Sequence, residues 1–548
     1  MQPAKPFRPR FFAATIFFAA VIAFWPALRN DFVHDDRIQV QEITLPATPA
    51  QWLAAPAQPW WPPSHHKNLW RPFTRVTILL QKAVHDNVGW PYFAVNILLH
   101  AAASILLWRL ARRVGMSDAA AFLAGVVFAI HPIHAEAVHQ IVGRAEILGC
   151  VWILVGLLAY DAAKAPAPQL AIQSICFALA LASKESAVVY PFLLALLMIG
   201  QSGFACLRKP RFWIAMGLLG CVLALFLAGK AAVTGGLIEP ASSVPVHENP
   251  LARMDFMARL PAGLGIFLYA TSQLIIPIGL CPDYSAVSLP VDAGWRWPFA
   301  WAGTVFVLAL AAWVIRNARA GKRGWLVPAA ALGAWLPLSN ILFPIGVVTA
   351  ERLWYLPSAA ACLGLGWLLA QIWSVKQIRS ARLLPAALLA SWFFTSLIYA
   401  RAWRTQAEYA FWTIRRFPES WRGHVNMSRE FYRVQHFEDG YTEAKKSVEL
   451  MPGNAVGWSW LGVNAAFMGQ PYWAQSEAAL RRALELDPDF AEPHQQLATL
   501  YQIQGRRADA IRELEIYLKS GQAIDPNSIR GRIEKLGAKP GPGRNDQN

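Results

Sequence analysis

Charge is what this sequence has least of. Only 15% of its 548 residues are charged, while 55% are hydrophobic, with 25 Trp and 29 Phe among them; a soluble domain carries roughly 25% charged residues. The deficit is concentrated in residues 1–400, and after Arg401 the composition becomes that of an ordinary soluble helical protein. Cysteine is scarce as well. All six (Cys150, Cys176, Cys206, Cys221, Cys281, Cys362) lie in the apolar part without CxxC spacing, which argues against a disulfide framework or a zinc site and for buried apolar thiols. No basic-aromatic module accompanies the formal charge of +16. The Lys and Arg cluster instead in short links between apolar runs, as membrane orientation and contact with anionic lipid require, so nucleic acid is not an expected partner.

Apolar runs of near-spanning length recur at 11–28, 91–109, 118–131, 146–161, 169–183, 186–201, 212–229, 297–315, 324–342, 353–373 and 383–400. The fold class they predict is all-α, with a polytopic helical domain of about 11 spans. Lys5, Arg8 and Arg10 precede Phe11–Leu28, which lacks a small-x-small cleavage site and reads as an uncleaved first span. The basic clusters should face the cytoplasm: the N-terminal tail, Arg109/Arg112/Arg113, Arg208/Lys209/Arg211, Arg316/Arg319/Lys322/Arg323 and Lys376/Arg379/Arg382. Alternating spans satisfy all of them only if the run 261–280, broken by Pro261, Pro277 and three glycines, re-enters or lies at the interface. That parity puts everything after residue 400 on the outer face, together with the loop 29–90.

The polar residues expected on that face do not read as ordinary loop solvation. Asp35 and Asp36 follow the first span directly, and such a pair is costly at a membrane edge unless it pairs, binds a cation or takes a proton; a solvated turn paired to Arg37 is the plainer reading. Trp60 and Trp61 suit an interfacial aromatic belt, and Thr74–Val84 has the spacing of an amphipathic surface helix. His131, His134, Glu136 and His139 lie within nine residues, followed by Arg144 and Glu146. His131 and His134 straddle Pro132 and no HExxH occurs, so hydrogen bonding or proton handling is expected there rather than zinc. Lys184 and Glu185, Asp283 and Tyr284, and Glu351 and Arg352 complete the set. Each could be a helix cap or local ion pair, but their shared face suggests a site for a charged head group.

The soluble part is repetitive. Pro418, Pro452 and Pro488 recur at spacings of 34 and 36 residues. His424, Trp458 and His494 then share one repeat position, Met427, Leu461 and Leu497 a second, and Ser428, Gly462 and Ala498 a third. That large-small alternation is the tetratricopeptide (TPR) pattern and predicts a C-terminal α-solenoid. The expected domains are 1–400 in the membrane, a linker at 401–420, repeats over 421–536 and a disordered tail at 537–548.

FVHDD, LWRPFTR, HPIHAEAVHQIVGRAEIL, ASKESAVVYP, GLCPDYS and NILFPIGVVTAERLWYLPS occur in this order. The series resembles the transmembrane-and-TPR O-mannosyltransferases, members of the GT-C superfamily, from about residue 30 to 520. The resemblance implies an inverting transfer of a hexose such as mannose from a polyprenyl-phosphate carrier to a hydroxyl of an exported protein. Asp35 would be the general base, with Asp36 supporting it, and Arg352 would hold the leaving phosphate, with Arg71, Arg144 and Lys184 as further candidates. His131, His134, Glu136, Glu185, Asp283, Tyr284 and Glu351 would orient substrate, although Glu136 can also be read as a partner of Arg144. A divalent cation at Asp35/Asp36 is left open, and no metal site is expected. The repeats would bring a protein or peptide acceptor. A bacterial inner membrane with a cytoplasmic N-terminus and a periplasmic tail is the expected setting. Two alternatives stay open: a GT-C enzyme acting on a glycan or lipid, and a membrane scaffold that presents its repeats without catalysis.

Overall fold

The computed structural model describes residues 9–61, 68–161, 165–237, 244–285, 288–375, 379–523 and 525–537. Lys376 and the expected disordered tail from residue 538 lie outside them. Among the described residues, those up to Trp412 form one compact unit and those from Thr413 a second.

Proline opens many of the membrane-unit helices, as its fixed φ and missing N–H allow: Pro72–His85, Trp90–Arg113, Pro166–Ser183, Pro210–Thr234 and Pro298–Arg319 all carry it at the first or second position. The helix Asp118–Ile130 is capped by the Ser117 hydroxyl on the Ala120 amide. The first helix, Pro9–Phe24, buries Phe12, Ile16, Ala20 and Ala23, a single stripe at helical spacing. Asp118–Ile130 and Tyr355–Ser374 pack against each other with Gly366 at the crossing. A Cβ there would stand 2.4 Å from the Ala124 amide nitrogen, so the approach depends on glycine.

Among the described residues seven helices are long and apolar enough to cross a membrane, or eight if the pair Asp118–Ile130 and Pro132–His139, bent by 47°, counts as one span. This is fewer than the eleven expected. The expected span 146–161 is the 16-residue helix Arg144–Ala159, about 24 Å long, short of a hydrocarbon core of about 30 Å. The expected span 324–342 forms a helix only over Leu326–Trp335. The interrupted run 261–280 begins inside the helix Phe256–Gln273, which contains Pro261, and continues in irregular chain.

The second unit consists of helix pairs: Trp421–Arg433 with Phe437–Leu450, Ala455–Phe467 with Trp473–Leu486, and Glu492–Ile503 with Arg507–Lys519, then Pro526–Gly537. Each helix packs on its chain neighbours, and the first helices of successive pairs also touch. One apolar core runs from Leu480 through Leu497, Tyr501, Leu514 and Tyr517 to Ile529.

Candidate functional site

Three ion pairs lie largely buried in the membrane unit, and each joins segments distant in the chain. The Glu136 carboxylate accepts from the Arg352 guanidinium and, at 2.8 Å, from the Arg352 backbone N–H. Lys184 pairs with Glu146 at 2.6 Å, and Arg71 with Glu185 at 3.1 Å. Arg71 also lies over the Trp60 ring. Arg71, Arg352, Glu146 and Glu185 are all within electrostatic reach of Lys184, so the three pairs form one network. Buried charges persist only when compensated in this way.

The two acids of the first loop have different surroundings. Asp36 is fully buried, and its two oxygens accept the backbone N–H groups of Ile141 and Val142 at 2.9 Å each. Burial raises its pKa to about 7; the two amides oppose that shift without overcoming it. Asp36 is therefore a clamp on the turn between the histidine-rich segment and Arg144, with no surface for a substrate. Each Asp36 oxygen is thus engaged with one backbone amide of the chain. Asp35 remains partly exposed, its Oδ1 2.9 Å from Nδ1 of His34. It lies within electrostatic reach of Arg352, whose side chain is 23% exposed. Asp35 and Arg352 are thus the expected acid and cation that the fold leaves accessible near one another.

Glu351 faces away from Arg352 in its contacts. Its Oε1 accepts from the Cys281 N–H at 2.8 Å, the Tyr399 hydroxyl at 3.0 Å and the Tyr284 hydroxyl at 3.1 Å. Burial, then the charge of Glu351, pushes the Tyr284 phenol well above its ordinary pKa, so it remains a donor. Asp283 is buried and accepts from the Ser285 hydroxyl at 3.1 Å. Glu351 therefore fastens the 279–285 segment beside the start of the Arg352 helix.

Several expectations need correction. Arg144 does not pair with Glu136; its guanidinium donates to Asn96 Oδ1 at 2.9 Å and the Tyr92 carbonyl at 3.1 Å and is buried. It has no face to offer a phosphate. His131 and His134 are buried too, bonded to the Leu274 carbonyl at 3.0 Å and the Ser358 hydroxyl at 2.8 Å. With His100, Phe128 and Tyr355 they form a buried aromatic core. Among the described residues no three His, Cys, Asp or Glu are grouped to hold a metal ion. Sequence reasoning missed His34, Gln406 and Tyr409, which meet here: the His34 N–H donates to Gln406 Oε1 at 2.9 Å, and its ring stacks on Tyr409. No motif marked Gln406 or Tyr409, because they lie in a helix that otherwise reads as connecting chain.

A polytopic helical unit holding a buried ionic network around an accessible acid and guanidinium suits a membrane glycosyltransferase, and comparison with known proteins agrees. Residues 72–228 match the family model described as dolichyl-phosphate-mannose-protein mannosyltransferase. The curated relatives that the chain is similar to are named protein O-mannosyl-transferases. It is similar to one from Caenorhabditis elegans (26% identity over 63% of this chain and 49% of that protein). It is also similar to TMTC3 of Mus musculus (24% identity, 93% of this chain, 54% of that protein) and TMTC3 of Homo sapiens (25%, with the same coverage). The chain spans about half the length of these curated relatives. Among solved structures, the apo oligosaccharyltransferase of Archaeoglobus fulgidus aligns with a TM-score of 0.37 and 13% identity, covering 77% of this chain and 58% of that one, a likeness too slight to argue from.

Proposed function

We propose that this protein is an inverting GT-C-type glycosyltransferase that moves a hexose, mannose by kinship with its relatives, from a polyprenyl-phosphate carrier to a hydroxyl of an exported polypeptide. The observation that carries this reading is a partly exposed Asp35 within electrostatic reach of Arg352, in a chain similar to proteins named protein O-mannosyl-transferases. Asp35 accepts the proton of the acceptor hydroxyl as that oxygen attacks the anomeric carbon. The bond from that carbon to the phosphate oxygen breaks, its electron pair stays on the phosphate, and configuration inverts. Arg352 bonds the phosphate through its planar fork, which Glu136 keeps in place. Arg71 and Lys184 act through the field of the network, and Glu185, Asp283, Tyr284 and Glu351 fix the surrounding segments. No step is routed through a divalent cation.

In the same reading residues 1–400 are the transferase domain and 401–420 a linker. The helix pairs over 421–536 are TPR-type repeats that bring the acceptor, on the outer side of a bacterial inner membrane. The test is a transfer assay in membranes with a panel of polyprenyl-phosphate sugars, reading intact peptide mass. Asp35→Asn should lower transfer by about a hundredfold or more at normal expression and folding. Arg352→Lys should raise the donor KM and lower kcat, since an ammonium cannot bind bidentately. Tight peptide binding with no transfer from any donor would favour the scaffold.

A further inference from the structure

We infer that His34 is the positioning residue of the base, holding the Asp35 carboxylate in the orientation that serves the acceptor hydroxyl. The inference rests on the transferase reading above. Its starting point is a backbone outlier: His34 has φ +49°, in the left-handed region that costs most non-glycine residues free energy. Strain of this kind persists only where the surroundings over-determine it, and at His34 they do. Its backbone N–H donates to Gln406 Oε1 at 2.9 Å, its ring stacks on Tyr409 with centroids 5.5 Å apart and planes 24° apart, and its Nδ1 is 2.9 Å from Asp35 Oδ1. Two of those three contacts come from the helix Gln406–Arg416.

The contacts define a chemistry. Beside an ionised Asp35, the neutral imidazole carries its hydrogen on Nδ1 and donates it to the carboxylate, which leaves the lone pair on Nε2. That bond fixes the rotation of the carboxylate, the converse of an acid orienting a catalytic imidazole. The charged or titratable groups around the ring are Asp35 and Asp36 from its own segment, Tyr409 from the Gln406–Arg416 helix, and Arg352 near Asp35. Protonation of the imidazole at Nε2 places a positive charge against Asp35 and weakens it as a base. A protonated imidazole should therefore slow transfer, which makes the pH profile the readout.

The test compares His34→Asn with His34→Gly in the full-length protein. Asn tolerates a left-handed backbone, and its side-chain N–H can replace the Nδ1 donor; Gly keeps the backbone and removes the donor. His34→Asn should stay within about tenfold of wild-type kcat, and its pH profile should lose the contribution of the imidazole. His34→Gly should lose about a hundredfold in kcat with the donor KM unchanged. A wild-type pH profile in both variants, at any rate, would overturn the inference, since backbone strain alone would move stability and not the profile. If His34→Gly does not fold, the profile of His34→Asn decides. A wild-type protein inactive with every polyprenyl-phosphate sugar would overturn the transferase reading and this inference together, whereas active wild type with unaltered variants would sink the inference alone.

Discussion

At the scale of single residues, the neighbours Asp35 and Asp36 differ in what can reach them. The sequence could flag the pair as costly at a membrane edge, but it could not divide the roles, because the amides that claim Asp36 come from residues 141 and 142. Arg352 could be singled out from its place at the head of an apolar run; its pairing with Glu136 could not, since 216 positions separate them. The buried state of Asp36 has a measurable consequence. Burial raises its carboxyl from 3.8 to about 7, so the folded state holds the proton more tightly than the unfolded chain. The associated stability is fully present below pH 4 and is lost as pH rises through about 7, by up to roughly 4 kcal/mol. Asp36→Asn cannot titrate and should melt with a flat profile over that window, although it starts lower by about 1–3 kcal/mol because one amide loses its acceptor. Thermal melts in detergent at pH 4 and pH 8 measure this: wild type should be the more stable at the lower pH, the gap should close or reverse at the higher, and a constant gap would count against it.

At the scale of elements, the segment 131–146 shows how a motif can be legible while its purpose is not. Its three histidines and glutamate invite a ligand, yet His131, His134 and His139 are buried and the segment works as a folded bracket. Its glycine is essential for a reason the sequence hides. A Cβ on Gly143 would stand 2.3 Å from the Ala137 carbonyl oxygen and 2.6 Å from its Cα, atoms of backbone that cannot swing aside. Gly143→Ala should therefore push the Ala135–His139 turn away from the Arg144 helix and draw the Ile141 and Val142 amides off Asp36, costing about 1–3 kcal/mol or more. Gly217→Ala, in open space within a long helix, is the control and should leave melting temperature unchanged or slightly raised. Equal melting temperatures for the two would refute the bracket. The 34- and 36-residue periodicity after Pro418 was the more legible, because each position recurs. His424 and Trp458, at one repeat position, both donate a ring N–H to the proline carbonyl six residues back, at 3.0 and 2.8 Å. Spans were less so: hydropathy finds apolar runs, but a helix buried among others need not be long enough to cross.

At the scale of the whole molecule, two compact units in one chain invite the question of whether the second is needed for chemistry or for delivery. The groups that could act on a donor (Asp35, His34, Arg352 and the ionic network) all belong to the first unit. Among the described residues of the second unit, pairs such as His424–Glu443 and His494–Glu513, each at 2.6 Å, join the two helices of one pair. If the helix pairs deliver acceptor, a chain ending after Phe417, which keeps the Gln406–Arg416 helix whole, should keep its kcat and its donor KM while the KM for a polypeptide acceptor rises. A short peptide that the repeats do not grip should be used equally well by both forms. The magnitude follows from effective concentration: a tethered acceptor site supplies millimolar local substrate, so a peptide of micromolar affinity for the repeats should lose about a hundredfold or more in kcat/KM. Steady-state kinetics with long and short acceptors separate the outcomes. An equal loss for both lengths, or a fall in kcat with unchanged KM, would mean that the second unit supports the fold of the first rather than feeding it.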